Sequence, residues 1–183
     1  MSGVLLVPHH TKYARSISRL SSDSAIKNTL GLSDEQTSVL GTINFIHFIL
    51  EQEKLGKQYS RVIVNQKNEL IGVITLKDID ALNRTCHIGT WIGQAYWGKG
   101  YNQAAKKEIL IYAFEVLKLE NVFAGAKVSN KRSQRSQEKL PYARINVGNE
   151  FQYEQQKLEA EVKEACILNV IEKEIFLNWL KES

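Results

Sequence analysis

The chain has 183 residues, 43% hydrophobic and 24% charged, a balance that fits one globular domain with a full core and excludes a disordered or low-complexity polypeptide. Lys and Arg number 24 against 20 Asp and Glu, a net charge of +4 that suits a phosphate-bearing ligand or a weak nucleic-acid contact and selects neither. No apolar run approaches the length of a membrane span, and residues 1–10 lack the charged start and long apolar stretch of a signal peptide, so a cytoplasmic protein without a membrane partner is expected.

Taken in order, Val-Leu-Leu-Val-Pro at 4–8 reads as a first strand stopped by Pro8. Two weakly helical stretches follow between His9 and Leu32, the second capped by Ser22 or Asp23. Ser33-Asp34-Glu35-Gln36 fits a capping box for a helix whose apolar face is Val39, Leu40, Ile43, Ile46, His47 and Leu50, with Gly56 as its stop. A histidine on such a face is expected to be a satisfied core or edge residue rather than a catalytic one. From Tyr59 the period becomes extended. Arg61–Val64 and Leu70–Leu76 read as a hairpin around the polar turn 65–69, and Thr85–Gly93 as a third antiparallel strand. Asp78 and Asp80 in the connection have the spacing of a metal pair, but aspartates in a turn more commonly cap backbone; no metal site is expected.

Beyond Gly93, two glycines flank Lys99, and Ala105, Ile109, Tyr112, Ala113, Val116 and Leu117 form one helical face. The alternation of Val122, Ala124, Ala126 and Val128 gives the next strand, so a right-handed crossover with a parallel neighbour is expected. Asn130–Leu140 is a short polar helix candidate. Residues 144–158 and 164–171 read as two more strands joined by the charged turn 159–163, before a short amphipathic tail with Phe176, Trp179 and Leu180 on one side. Cys86 and Cys166 lie in apolar runs and read as buried thiols, without zinc-ligand spacing or an activating partner. With no repeat or linker, residues 1–183 read as a single mixed α/β domain.

A strand leading through a glycine loop into a helix presents unpaired N–H groups to a phosphate; the same geometry also serves as a plain tight turn. Three phosphate motifs compete for residues 93–102. The dinucleotide fingerprint lacks its third glycine, because Gln103 stands three beyond Gly100. The nucleotide P-loop spacing holds at Gly93, Gly98 and Lys99, but Gly100 replaces the hydroxyl residue that ligates magnesium. The third is the coenzyme A pyrophosphate loop, [QR]-x-x-G-x-[GA], with Gly100 at its central glycine.

Here the sequence resembles the GNAT acetyltransferases, and within them the RimJ/RimL-like branch that acetylates protein N-termini and small amines. The likeness rests on Gly89-Thr90-Trp91-Ile92-Gly93 followed by Tyr96-Trp97-Gly98-Lys99-Gly100-Tyr101. A second stretch, Asn130-Lys131-Arg132-Ser133-Gln134-Arg135 with Glu138-Lys139-Leu140, is similar to the family's N-x-x-S-x-R-x-x-E-K-x-G-F. It covers about residues 30–175. Trp97 stands where many relatives carry Gln or Arg, Asn102 where Gly or Ala is usual, and Pro141-Tyr142 in place of Gly-Phe. Proline cannot adopt the left-handed conformation that ends a helix at glycine, so a different helix end is expected.

The resemblance implies a GNAT-like fold, a twisted, mostly antiparallel mixed sheet flanked by helices. It implies an acetyl-CoA-dependent N-acetyltransferase in which a primary amine, on a protein N-terminus or a small molecule, attacks directly in a ternary complex. A monomer or homodimer without specific nucleic-acid binding is expected. By the same resemblance Gly98, Lys99, Gly100, Tyr101 and Asn102, with Trp97, hold the pyrophosphate. Trp91, Ile92 and Gly93 accompany the pantetheine arm, and Asn130 and Arg135 add cofactor contacts. Many relatives use a tyrosine seven residues after the family asparagine, a position that is Gln137 here; resemblance to the RimL-like branch, in which the serine of N-x-x-S has the leaving-group role, gives that role to Ser133, with Tyr101 and Tyr142 as spare phenols. His87 is the expected base, with Glu150 and Glu154 as alternatives. The same residues also fit a CoA-binding sensor or interaction module without catalysis.

Overall fold

A computed structural model describes residues 3–183. Seven strands form one mixed sheet: β1 (Val4–Pro8), β2 (Tyr59–Asn65), β3 (Leu70–Asp80), β4 (Thr85–Ile92), β5 (Asn121–Lys127), β6 (Ala143–Arg144) and β7 (Cys166–Glu172), in the order β1-β2-β3-β4-β5-β7-β6. β1 with β2, β2 with β3, β5 with β7 and β6 with β7 are antiparallel, while β4 and β5 run parallel, Thr85 opposite Asn121 and Ile88 opposite Ala124. The crossover between the parallel pair is a helix, as such a connection requires. The helices are α1 (Ala14–Ser21), α2 (Ser24–Leu30), α3 (Asp34–Thr37), α4 (Val39–Lys54), α5 (Tyr101–Ile111), α6 (Lys131–Glu138), α7 (Gln152–Val162) and α8 (Lys173–Glu182). α5 continues into a wider π-turn over Tyr112–Val116.

The chain divides into two compact units, Met1–Lys77 with Thr90–Tyr112, and Asp78–Gly89 with Ala113–Ser183. In the first, β1 and the hairpin of β2 and β3 carry Val62, Val64 and Val73 against Ala14 and Ile17 of α1 and Ile46 of α4, with Trp91 packed at the edge of this cluster. Each such fully buried aliphatic side chain contributes about 1.5–3 kcal/mol. The capping box at Ser33 is present, with Ser33 and Gln36 satisfying each other's backbone N–H, but it starts only the one-turn helix α3. Ser38 is extended and caps α4 anew through the Gly41 N–H. The buried side of α4 is consequently Thr42, Ile46 and Ile49, and His47, expected in the core or at its edge, is exposed together with Leu40, Phe45 and Phe48.

In the second unit the core joins Phe123 of β5, Leu168 and Val170 of β7 and Leu158 of α7. Residues 144–158 are not a strand. β6 has two residues, and Gln152–Val162 is a helix whose Leu158 and Val162 point into that core four residues apart. Gln, Glu, Lys, Leu and Ala dominate this stretch, all strong helix formers, and their propensity prevails over the extended reading. Gly125 makes room for the contact, because a side chain there would meet Leu158. α6 ends without a left-handed residue: Lys139 is right-handed and Leu140 donates its N–H to the Gln137 carbonyl. Pro141 then turns the chain so that Tyr142 is buried against Phe176 and Trp179 of α8. Burial pushes the Tyr142 phenol well above its ordinary pKa, so it is a core residue rather than a spare acid.

Candidate active site

The loop in the first unit is built by backbone conformation. β4 ends at Ile92, and the Gly93 N–H donates to the Ile71 carbonyl at 2.8 Å, pinning the loop's entry to β3. Gln94–Tyr96 make one tight turn, after which Gly98 (φ 73°) and Gly100 (φ 80°) are both left-handed. An L side chain at either position costs about 1–2 kcal/mol. α5 begins directly at Gly100, which has no side chain to cap it, so the first-turn amides of Tyr101, Asn102 and Gln103 point out of the helix unclaimed by its own hydrogen bonding. These donors lie at the positive end of the helix dipole, a ready site for an anion.

Around this loop, the Trp97 indole Nε1 donates to the Ile92 carbonyl at 2.6 Å. Trp97 therefore ties the loop to the end of β4. Trp91 is half-buried on the core cluster, and the buried Thr90 Oγ1 beside it has no hydrogen-bond partner among the described residues. The Lys99 ammonium reaches the Ala95 carbonyl at 3.0 Å and lies over the Tyr96 ring.

One residue of this unit was not singled out by sequence. Lys106 is buried, 5% exposed, and its Nζ donates to Asn102 Oδ1 at 2.5 Å. Helical side chains lean toward the N-terminus, so residue 106 reaches residue 102 one turn earlier. Burial lowers the Lys106 pKa to about 8. A cation held in low dielectric beside the positive end of a helix is costly twice over, and an anion at the same helix end would offset both costs. Asn102, whose oxygen accepts from Lys106, has its amide N–H groups left to donate. The uncapped helix, the two left-handed glycines and the buried lysine together fit a pyrophosphate.

The second unit holds the other sequence candidates. His87 is buried, 5% exposed, on β4 beside Phe123, and β4 lies inside the sheet rather than at its edge. Its Nε2 meets Glu154 Oε2 of α7 at 2.5 Å, joining two residues 67 apart in sequence that were separate candidates for the base. If Nε2 carries the proton toward the carboxylate, Nδ1 carries the free lone pair. Glu150, the other acid, pairs with Arg144, which also binds Glu172. Asn130 caps α6, its Oδ1 accepting from the Ser133 N–H at 3.0 Å. Ser133 is half-buried and its Oγ accepts from Gln137 Nε2 at 3.3 Å. Arg135 is exposed in the last turn of α6.

Asp80 caps the turn at Asn83 and Asp78 pairs with Lys157, and no cluster able to hold a metal ion occurs among the described residues. Cys86 and Cys166 are free, buried thiols, Cys86 pushed far up in pKa by burial. No helix among the described residues is long and apolar enough to cross a membrane.

Residues 4–142 match the family model of the Acetyltransferase (GNAT) domain. Among curated proteins, a provisionally assigned ribosomal N-acetyltransferase, YdaF, of Bacillus subtilis (strain 168), is 38% identical over 73 residues. That stretch is 40% of this chain and 40% of the relative, so the match spans well under two thirds of the relative's length. Among solved structures, Mycobacterium smegmatis RimJ in complex with CoA-disulfide aligns with a TM-score of 0.74 over 93% of this chain and 82% of that one, at 16% identity. Spermidine N-acetyltransferase from Vibrio cholerae, in complex with CoA and spermine, aligns with a TM-score of 0.73 over 95% and 98% of the two chains, at 15% identity. At such identities the likeness of structure establishes the fold.

Proposed function

Because this chain belongs to the GNAT acetyltransferase family, we propose that it transfers an acetyl group from acetyl-CoA to a primary amine, by direct attack of the amine and without a protein nucleophile. The observation that carries this reading is the uncapped start of α5 behind Gly98 and Gly100, with the buried Lys106 one turn inside. When bound, acetyl-CoA supplies the acetyl group as an activated thioester. The amides of Gly98, Lys99, Gly100, Tyr101 and Asn102 hold the pyrophosphate, and Lys106 and Lys99 add positive charge. Trp91 and Ile92 flank the pantetheine arm, while Trp97 keeps the Ile92 carbonyl in place and the Gly93 amide is committed to Ile71. Asn130 keeps its amide N–H groups for a cofactor contact, since only its oxygen serves the helix cap, and Arg135 offers an exposed guanidinium.

An amine of pKa about 10 must lose a proton before it attacks at neutral pH. We assign that proton to His87, with Glu154 fixing the tautomer. Ser133 hydrogen-bonds the departing sulfur. The acceptor class is an amine on a protein N-terminus or a small molecule; the names of the YdaF relative and of the spermidine enzyme give those proteins a ribosomal acceptor and a polyamine.

The test is incubation with acetyl-CoA and a panel of N-terminal peptides and polyamines, following free thiol, alongside calorimetric titration with CoA. Turnover with at least one amine is expected. Tight CoA binding without turnover on any amine supports the sensor reading, which the replacement of the family tyrosine by Gln137 favours. No CoA binding sinks both.

A further inference from the structure

Gln137 stands where many relatives carry a tyrosine, yet it is buried, 5% exposed, and every polar atom of its amide is engaged. Nε2 donates to the Gly125 carbonyl at 3.0 Å and to Ser133 Oγ at 3.3 Å, and Oε1 accepts from Asn169 Nδ2 at 2.5 Å. Asn169, 2% exposed on β7, accepts in turn from the Asn146 backbone N–H at 2.9 Å.

The direction of this chain follows from its ends. A side-chain amide has one donor end and one acceptor end. The Asn146 N–H can only donate, so Asn169 turns its oxygen toward it and its NH₂ toward Gln137. The Gly125 carbonyl can only accept, so Gln137 turns its NH₂ toward Gly125 and Ser133. Two backbone groups therefore set the orientation of both amides, and neither can flip without leaving a buried polar group unpaired, at about 1–3 kcal/mol. The consequence falls on Ser133. Its oxygen accepts from Gln137, and among the described residues its hydroxyl proton is donated to no protein group.

We propose that Gln137 and Asn169 are positioning residues which hold the Ser133 hydroxyl as a hydrogen-bond donor toward the sulfur of the departing coenzyme A. The proposal rests on the acetyltransferase reading above. In the transfer the nitrogen–carbon bond forms as the carbon–sulfur bond breaks, the electron pair of the broken bond stays on sulfur, and the second proton of the nitrogen, lost as the amide forms after His87 has taken the first, reaches sulfur through solvent. Ser133 contributes a hydrogen bond and no proton of its own, so the high pKa of a serine is no obstacle. The lost phenol is thus replaced by a weaker donor whose oxygen is held in place, rather than by a stronger acid.

The experiment compares wild type with Gln137→Met, Ser133→Ala and the double variant, and with Asn169→Leu as a second break of the chain that leaves Gln137 in place. The first readout is the thiol pKa of bound CoA, from the ultraviolet absorbance of the thiolate with the desulfo-CoA complex as baseline. It is expected to be lower by about one pH unit in wild type than in Ser133→Ala, with Gln137→Met and Asn169→Leu both moving toward the Ser133→Ala value. The second is the split of kinetic constants: kcat falls roughly tenfold in Gln137→Met while KM for acetyl-CoA stays within about twofold. In the Ser133→Ala background, Gln137→Met then adds nothing. An unchanged thiol pKa in both positioning variants, or an equal fall in kcat with and without Ser133, overturns the proposal while the acetyltransferase reading stands. Failure of wild type to bind CoA removes that reading, and the proposal with it.

Discussion

α5 and α6 begin in opposite ways, one with its first amides uncapped and the other with a side-chain cap. α6 starts at Asn130, whose side chain occupies the Ser133 N–H; α5 starts at a left-handed glycine that occupies nothing. Further along, both carry a buried polar residue that reaches back four positions, Lys106 to Asn102 and Gln137 to Ser133. The first brings a charge to an open helix end, and the second brings a neutral amide to a capped one. Free donors plus charge suit binding of a phosphate, whereas a capped start reached by a neutral amide suits the fixing of one hydroxyl.

The sharpest break of this contrast is Gly100→Val, which forces a β-branched side chain into φ 80° where α5 opens. CoA affinity is expected to fall at least about a hundredfold in calorimetric titration, equivalent to about 2.7 kcal/mol, through loss of the amide array. Melting of the free protein moves less. An affinity within about threefold of wild type would remove the loop from the cofactor site.

Lys106→Met comes next, and its two effects have opposite signs. Removing a buried cation stabilises the free protein by about 1–3 kcal/mol at neutral pH, while CoA affinity falls about tenfold. The pH dependence gives a second check. Lys106 has its folded pKa lowered from 10.5 to about 8, so between these values the unfolded chain binds more protons and wild-type stability gains from this group as pH rises. The gain is about 3 kcal/mol at most, with the full penalty present below about pH 8. Denaturant melts across that window are expected to show the gain in wild type and lose it in Lys106→Met. The corresponding neutral position, Gln137, contributes no such slope.

The smallest effect is that of Asn130→Ala. Loss of the cap costs about 1 kcal/mol of stability in a denaturant melt. CoA affinity is expected to drop less than in Gly100→Val, since the proposed role of α6 is to add side-chain contacts rather than the phosphate cradle. A larger loss of affinity than in Gly100→Val would reverse the roles given to the two helices.

The glycine loop, the hairpin of β2 and β3 and the short polar helix at 130–140 were legible in sequence because each depends on residues within about one or two turns of each other. The capping box at Ser33 was legible as well, yet its helix stops after one turn, since Ser38 offers a competing cap that no local pattern ranks below it. The helix at 152–162 has its signal in Phe151, Leu158 and Val162 at helical spacing, set among strong helix formers, a signal that outweighs the extended pattern of 144–158.

By itself the sequence determined the family, the place of the glycine loop and the conformation its glycines permit, because two ordered motifs and local backbone chemistry suffice for these. Tertiary structure alone decided the pairing of His87 with Glu154, the burial of Lys106, and the chain from Asn146 through Asn169 and Gln137 to Ser133. Most of these groups lie tens of residues apart, and Lys106, whose partner is close in sequence, owes its altered pKa to burial. A hydrogen-bond direction or a lowered pKa exists only once folding has excluded water and left each buried polar atom a single set of partners.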